Sequence, residues 1–132
     1  MLNMMKRKYK QGISLLTGLL KSRTQSIRDY IGNCYAYRGF GYAAVENHGK
    51  AVKDFNRSTK YCDPDRATIY NRLISEGVLA AGKENFKKAL RLFAKAQKLF
   101  DRNVEPLFYT ALLLVMQGKD LPDKTHVMKE AK

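Results

Sequence analysis

The chain has no tryptophan, three prolines and two cysteines in 132 residues, and each scarcity removes a class of protein. Cys34 and Cys62 are too few for the disulfide framework of a small secreted domain. No metal-type spacing surrounds them, so they read as reduced thiols that fill space. Few prolines leave long stretches open to helix. The longest apolar run, Leu107 to Met116, falls short of the roughly 18 residues that a membrane span needs. His48 and His126 stand far apart, and no HExxH, paired CxxC or glycine-rich phosphate loop occurs. The expectation is therefore no catalytic residue, no bound metal and no cofactor, with His48 a packed or partly exposed helix residue.

Acidic residues are also scarce. Twelve stand against twenty-five basic ones, a formal net charge of +13. Such a chain repels itself unless an anionic partner neutralises part of the excess. An apolar share of 45% is ordinary for a folded domain, so disorder is not the expectation. At the amino end Lys6, Arg7, Lys8 and Lys10 precede the apolar run Ile13 to Leu20, with no acidic residue before Asp29. That composition would suit a mitochondrial targeting segment, but the same residues fit a repeated helix better.

The repeat is the main signal. Lys50-Ala51-Val52-Lys53-Asp54-Phe55, then Ser58 and Lys60, returns 38 positions later as Lys88-Ala89-Leu90-Arg91-Leu92-Phe93, then Ala96 and Lys98. Gly39 pairs with Gly77 and Asp63 with Asp101 at the same offset. A weaker copy, Tyr9, Gly12, Leu16 and Leu19, precedes His48, Ala51, Phe55 and Ser58 by 39 positions. A small residue, a large one four later and a small or apolar one three later share one helix face. The small residue admits a neighbouring helix, and Phe55 or Phe93 fills the space between hairpins. These residues resemble the tetratricopeptide repeat, with its small-x3-aromatic and glycine signature. The present unit exceeds the 34-residue family repeat by four, about one helical turn. Tyr35 and Leu73 stand at the family's early aromatic position. The resemblance implies an all-α, antiparallel helix-hairpin solenoid of six to seven helices.

End signals place the helices. Residues 3–24 read as the second helix of a partial repeat. Residues 26–62 read as a full repeat, opened by a Ser26/Asp29 capping box and divided between about Glu46 and Gly49. Residues 64–101 form the next, with Asp63 as N-cap, Pro64 at the first helical position and Gly82 as the break. Residues 104–118 give a further first helix from Pro106, and 119–132 a terminal segment whose short helix starts at Leu121-Pro122. Leu107 and Leu112 to Val115 make the 104–118 helix apolar nearly all round, unlike a cap, so self-association or a larger assembly is expected there.

Two surfaces follow. In tetratricopeptide arrays the first helices line a concave groove. The resemblance thus assigns groove positions to Asn33, Tyr37 and Phe40, to Asn71, Ile74 and Val78, and to Phe108 and Leu112. An apolar groove suits an amphipathic helix or extended segment. The family's lysine, arginine and asparagine clamp for a carboxyl-terminal carboxylate is replaced by Ala36, Phe40, Glu105 and Tyr109, so chaperone tails are not the expected ligand. On the convex side Lys50, Lys53, Arg57 and Lys60 form one basic stripe, and Lys83, Lys87, Arg91, Lys95 and Lys98 another, with only Asp54 and Glu84 interspersed among the stripe residues. Stacked hairpins would set the stripes roughly 10 Å apart, so they act as one field. The expected function is a non-enzymatic protein-interaction scaffold or small assembly subunit, its basic face meeting an acidic segment. Binding to the RNA backbone is the alternative, weakened because charges and aromatics fall on opposite faces. A cytoplasmic, cytoskeleton-associated protein without a membrane span is expected. The opening Lys10 to Leu16 with Arg28-Asp29-Tyr30 also resembles the amino-terminal part of the mitochondrial fission adaptor, a minor mitochondrial alternative.

Overall fold

The computed structural model describes residues 3–22 and 24–118. The terminal segment expected at 119–132, with its helix from Leu121 and with His126, lies outside the described residues. Within them regular structure is entirely helical: α1 (Asn3–Ser22), a 3₁₀ helix (Gln25–Tyr30), α2 (Ile31–Ala44), α3 (His48–Ser58), α4 (Arg66–Gly82), α5 (Phe86–Leu99) and α6 (Glu105–Gly118). Each α-helix packs on its neighbours along the chain, and α2 also touches α4. Three-residue connections return α2 to α3 and α4 to α5 as antiparallel hairpins.

The glycine–phenylalanine pattern acts at the hairpin crossings. A Cβ placed on Gly39 would fall 2.8 Å from the Phe55 ring, and one on Gly77 would fall 2.6 Å from the Phe93 ring. Both rings are fully buried, as are Ala51 and Ala89 one turn earlier. Truncating either ring to alanine is expected to cost about 3–5 kcal/mol.

Helix ends depart from the expected ones. Ser26 does not cap: its hydroxyl lies 2.8 Å from Thr24 Oγ1. The chain turns through the 3₁₀ helix, so α2 begins only at Ile31. Asp63 does not cap α4 either. Pro64 disfavours helical backbone before it, and Asp65, one residue after, accepts the Thr68 N–H at 2.7 Å. Gly82 is the last residue of α4, and the left-handed residue that closes the helix comes two positions later, at Glu84.

The breaks are instead built from a Glu-Asn pair repeated 38 positions apart. Asn47 N–H donates to Tyr42 O and Glu46 N–H to Ala43 O. In the next hairpin Asn85 N–H donates to Ala80 O and Glu84 N–H to Ala81 O. This is the Schellman closure, with glutamate at φ 65° and 61° where glycine is usual. Each asparagine then opens the next helix, its side chain accepting from Lys50 N or Lys88 N. One residue thus ends one helix and caps another.

Candidate protein-binding surfaces

Three of the groove residues meet. Phe40 from α2 and Asn71 and Ile74 from α4 line a cavity of about 340 Å³, together with Tyr9, Ala43, Ala44, Glu46, His48, Ser75, Glu105 and Tyr109. Phe40 also packs edge-on to Phe55 at 5.4 Å, and Tyr109 stacks on Phe93 at 5.0 Å. The cavity floor therefore rests on the same two phenylalanines that set the hairpin crossings. The other groove residues lie elsewhere. Asn33, Tyr37, Phe108 and Leu112 are exposed outside the cavity, and Val78 packs against the α4–α5 core. Tyr37 and Phe108 extend the aromatic surface from its rim, at 5.8 Å from Phe40 and from Tyr109.

Polar groups edge the cavity. Burial pushes the Tyr109 hydroxyl above its ordinary value, and the Glu105 and Glu46 carboxylates add to the rise because a phenolate would face two like charges. Asn71 donates to Ala67 O along its own helix. His48 Nδ1 lies 2.9 Å from Ser75 Oγ, and Nε2 lies 2.9 Å from Glu46 Oε2. Spacing alone gave His48 no polar partner. The fold brings it a serine from α4 and a carboxylate from the strained Schellman residue. Ser75 sits in mid-helix and is only 1% exposed. The arrangement ties the start of α3 to α4 through a buried hydroxyl.

The basic residues occupy the second helices. Lys50, Lys53 and Arg57 are exposed on α3, with Lys60 exposed just beyond its end. Lys87, Arg91, Lys95 and Lys98 are exposed along α5, whereas Lys83 sits at the C-cap of α4. Asp54 does not belong to this surface. It is buried and takes a two-pronged ion pair from Arg38, Nε–Oδ2 at 2.6 Å and Nη2–Oδ1 at 2.8 Å. Arg57 adds a looser contact at 3.5 Å, and Arg38 Nη1 donates to Thr17 Oγ1 at 3.2 Å. The Asp54 hydrogen bonds hold the Arg38 guanidinium above its ordinary value. Only Glu84 thus remains among the stripe residues to offset their charge. The separation of aromatics from charges also needs correcting. Lys50 lies 5.5 Å over Tyr42, and Arg38 lies over Tyr35 and Tyr42 at 5.6 and 5.7 Å. The sequence held a cue to this pair: a carboxylate at the repeat position of Leu92 must find a buried partner.

Cys34 is buried, and burial raises its thiol above the ordinary value, with Arg38 opposing. Cys62 is exposed, contrary to its reading as a core filler. Among the described residues no group of three or more His, Cys, Asp or Glu side chains is placed to hold a metal ion. No helix among them is long and apolar enough to cross a membrane. Compared with known proteins, the chain matches no family model, no curated protein and no solved structure.

Proposed function

We propose that the chain is a non-enzymatic, tetratricopeptide-like hairpin scaffold that binds a helical or extended protein segment along its first-helix face. The observation that carries this reading is the convergence of Phe40, Asn71, Ile74 and Tyr109 on one cavity, while the exposed lysines of α3 and α5 stand outside it. An apolar floor with an amide and carboxylates at its rim suits the anchor side chains of a partner segment. The nearly unopposed cations on α3 and α5 suit an acidic stretch of that partner or of a second one. The recurrence of the Gly39–Phe55 crossing at Gly77–Phe93 supports the hairpin-array reading.

Affinity capture from the native source with two variants tests it. Asn71→Arg should release proteins held at the cavity, and a Lys53→Glu/Lys95→Glu pair should release those held by charge. Retention of every specific partner by both folded variants would remove the proposal. Contact with the RNA backbone is favoured by one observation, the placing of Lys50 over the Tyr42 ring. It requires an affinity for RNA that falls linearly on a log–log salt plot, and absence of binding at low salt excludes it.

A further inference from the structure

Among the described residues, the internal repeat shows which faces at the two ends of the helix stack stay uncovered. In hairpin α4–α5 the face that α4 turns to α5 carries Tyr70, Ile74 and Gly77, all buried. Thirty-eight residues on, α6 repeats these positions with Phe108, Leu112 and Val115. Phe108 is 62% exposed and Leu112 43%, against 6% for Tyr70 and 5% for Ile74. The converse holds at α1. The face that α5 turns to α4 carries Leu92 and Ala96, buried at 7% and 0%. The matching α1 residues, Leu15 and Leu19, are 72% and 44% exposed. Among the described residues, one end therefore presents a first helix without its second, and the other a second helix without its first.

We infer that the occupant of each face is a second copy of this chain, joined head to tail, with α6 of one copy seated on α1 of the next as α4 seats on α5. Charge supports the pairing. Helix α1 carries Lys6, Arg7, Lys8, Lys10 and Lys21 and no acidic residue, whereas α6, alone among the α-helices of the described residues, has no basic residue and begins with Glu105. An antiparallel pairing like that of the hairpins brings Glu105 beside Lys21 of the neighbour. Steric fit supports it as well. Val115 replaces the glycine of the crossing, and Leu16, smaller than Phe93, replaces the ring that meets it, so part of the added volume is offset. Such a contact is heterologous, with different patches on the two copies, and it does not close on itself at two subunits.

Sedimentation velocity of the full chain over a wide concentration range tests this. Mass should rise from 15.1 kDa through multiples without a fixed end point. Leu15→Glu/Leu19→Glu and, separately, Leu112→Glu/Val115→Glu should each give a monomer of unchanged helicity. Mixed one to one, the two variants should form a dimer and nothing larger, because each keeps one complementary face. A wild-type chain that stays monomeric throughout overturns the inference. So does continued dimerisation of the α1 variant alone, which would mean that α6 meets α6. So does a chain cut to residues 1–118 that associates where the full chain does not, which would place residues 119–132 on the α6 face.

Discussion

In hairpin α2–α3 the residue before the buried phenylalanine is Asp54, locked by Arg38. Thirty-eight positions later, in α4–α5, it is Leu92, packed in an apolar cluster with Ile74 and Ala96. Glu76 stands where Arg38 stood and reaches Arg72 at 3.4 Å on its own helix. Both hairpins keep the glycine–phenylalanine crossing and the Glu-Asn closure, so these set the geometry, while the layer between them accepts either an ion pair or a leucine. The two solutions differ in how they fail. A buried pair contributes little net stability over an apolar replacement but is costly to halve.

The largest expected effect comes from halving it. Asp54→Ala or Arg38→Ala should lower the unfolding free energy by about 3–5 kcal/mol in urea titration. Joining Arg38→Met to Asp54→Leu, which gives the first hairpin the apolar solution of the second, should restore most of that loss. If the double variant is no better than the singles, the layer is not interchangeable. Next comes the crossing. Gly77→Ala should destabilise, because overpacking of about 1–3 kcal/mol exceeds the ~1 kcal/mol helix gain. Gly39→Ala should cost less, since its Cβ would sit slightly farther from the ring. Gly12→Ala, with nothing within 4 Å, should stabilise by about 0.5–1 kcal/mol. Equal shifts in melting temperature at all three positions would refute the crossing argument.

How much of this was legible follows from the kind of constraint involved. The hairpin crossings were readable because glycine and phenylalanine at a fixed spacing have one packing consequence. Phe40, Asn71 and Ile74 were placed together by the resemblance to tetratricopeptide arrays. The breaks near Glu46 and Gly82 were legible, but the starts of α2 and α4 were misplaced because Ser26 and Asp63 are good cap residues in isolation, yet α2 begins only at Ile31 and Asp65 caps α4. Capping competes among near neighbours, and a difference of ~1 kcal/mol decides it. Arg38 with Asp54, and Ser75 with His48, are contacts between helices that no local period encodes.

Smaller effects separate the two closures. Glu84→Gly should stabilise by about 1 kcal/mol through relief of its left-handed backbone. Glu46→Gly should gain less, because it also gives up the 2.9 Å contact to His48. Differential scanning calorimetry of the pair checks this, and a larger gain at Glu46 would mean that the His48 contact contributes nothing. The smallest effect is a pH dependence at Asp65. The Thr68 N–H holds its carboxyl below the ordinary 3.8, so the unfolded chain binds the proton more readily. That stability is present above the ordinary value and is lost as pH falls through the folded one. Asp65→Asn keeps the capping oxygen and should flatten acid unfolding in this window, with a difference under about 1 kcal/mol.

The doubled role of Asn47 and Asn85 has a mechanical consequence. With only residues 45–47 or 83–85 between its helices, and the last of those three bonded to both, a hairpin behaves as a stiff link without slack. Residues 59–65, a longer run between α3 and α4, are the joint. A bend in the chain would therefore fall between links and not within them. The cavity draws its walls from both sides of that joint, Phe40 and Ala43 on one and Asn71 and Ile74 on the other, so such a bend would change its width.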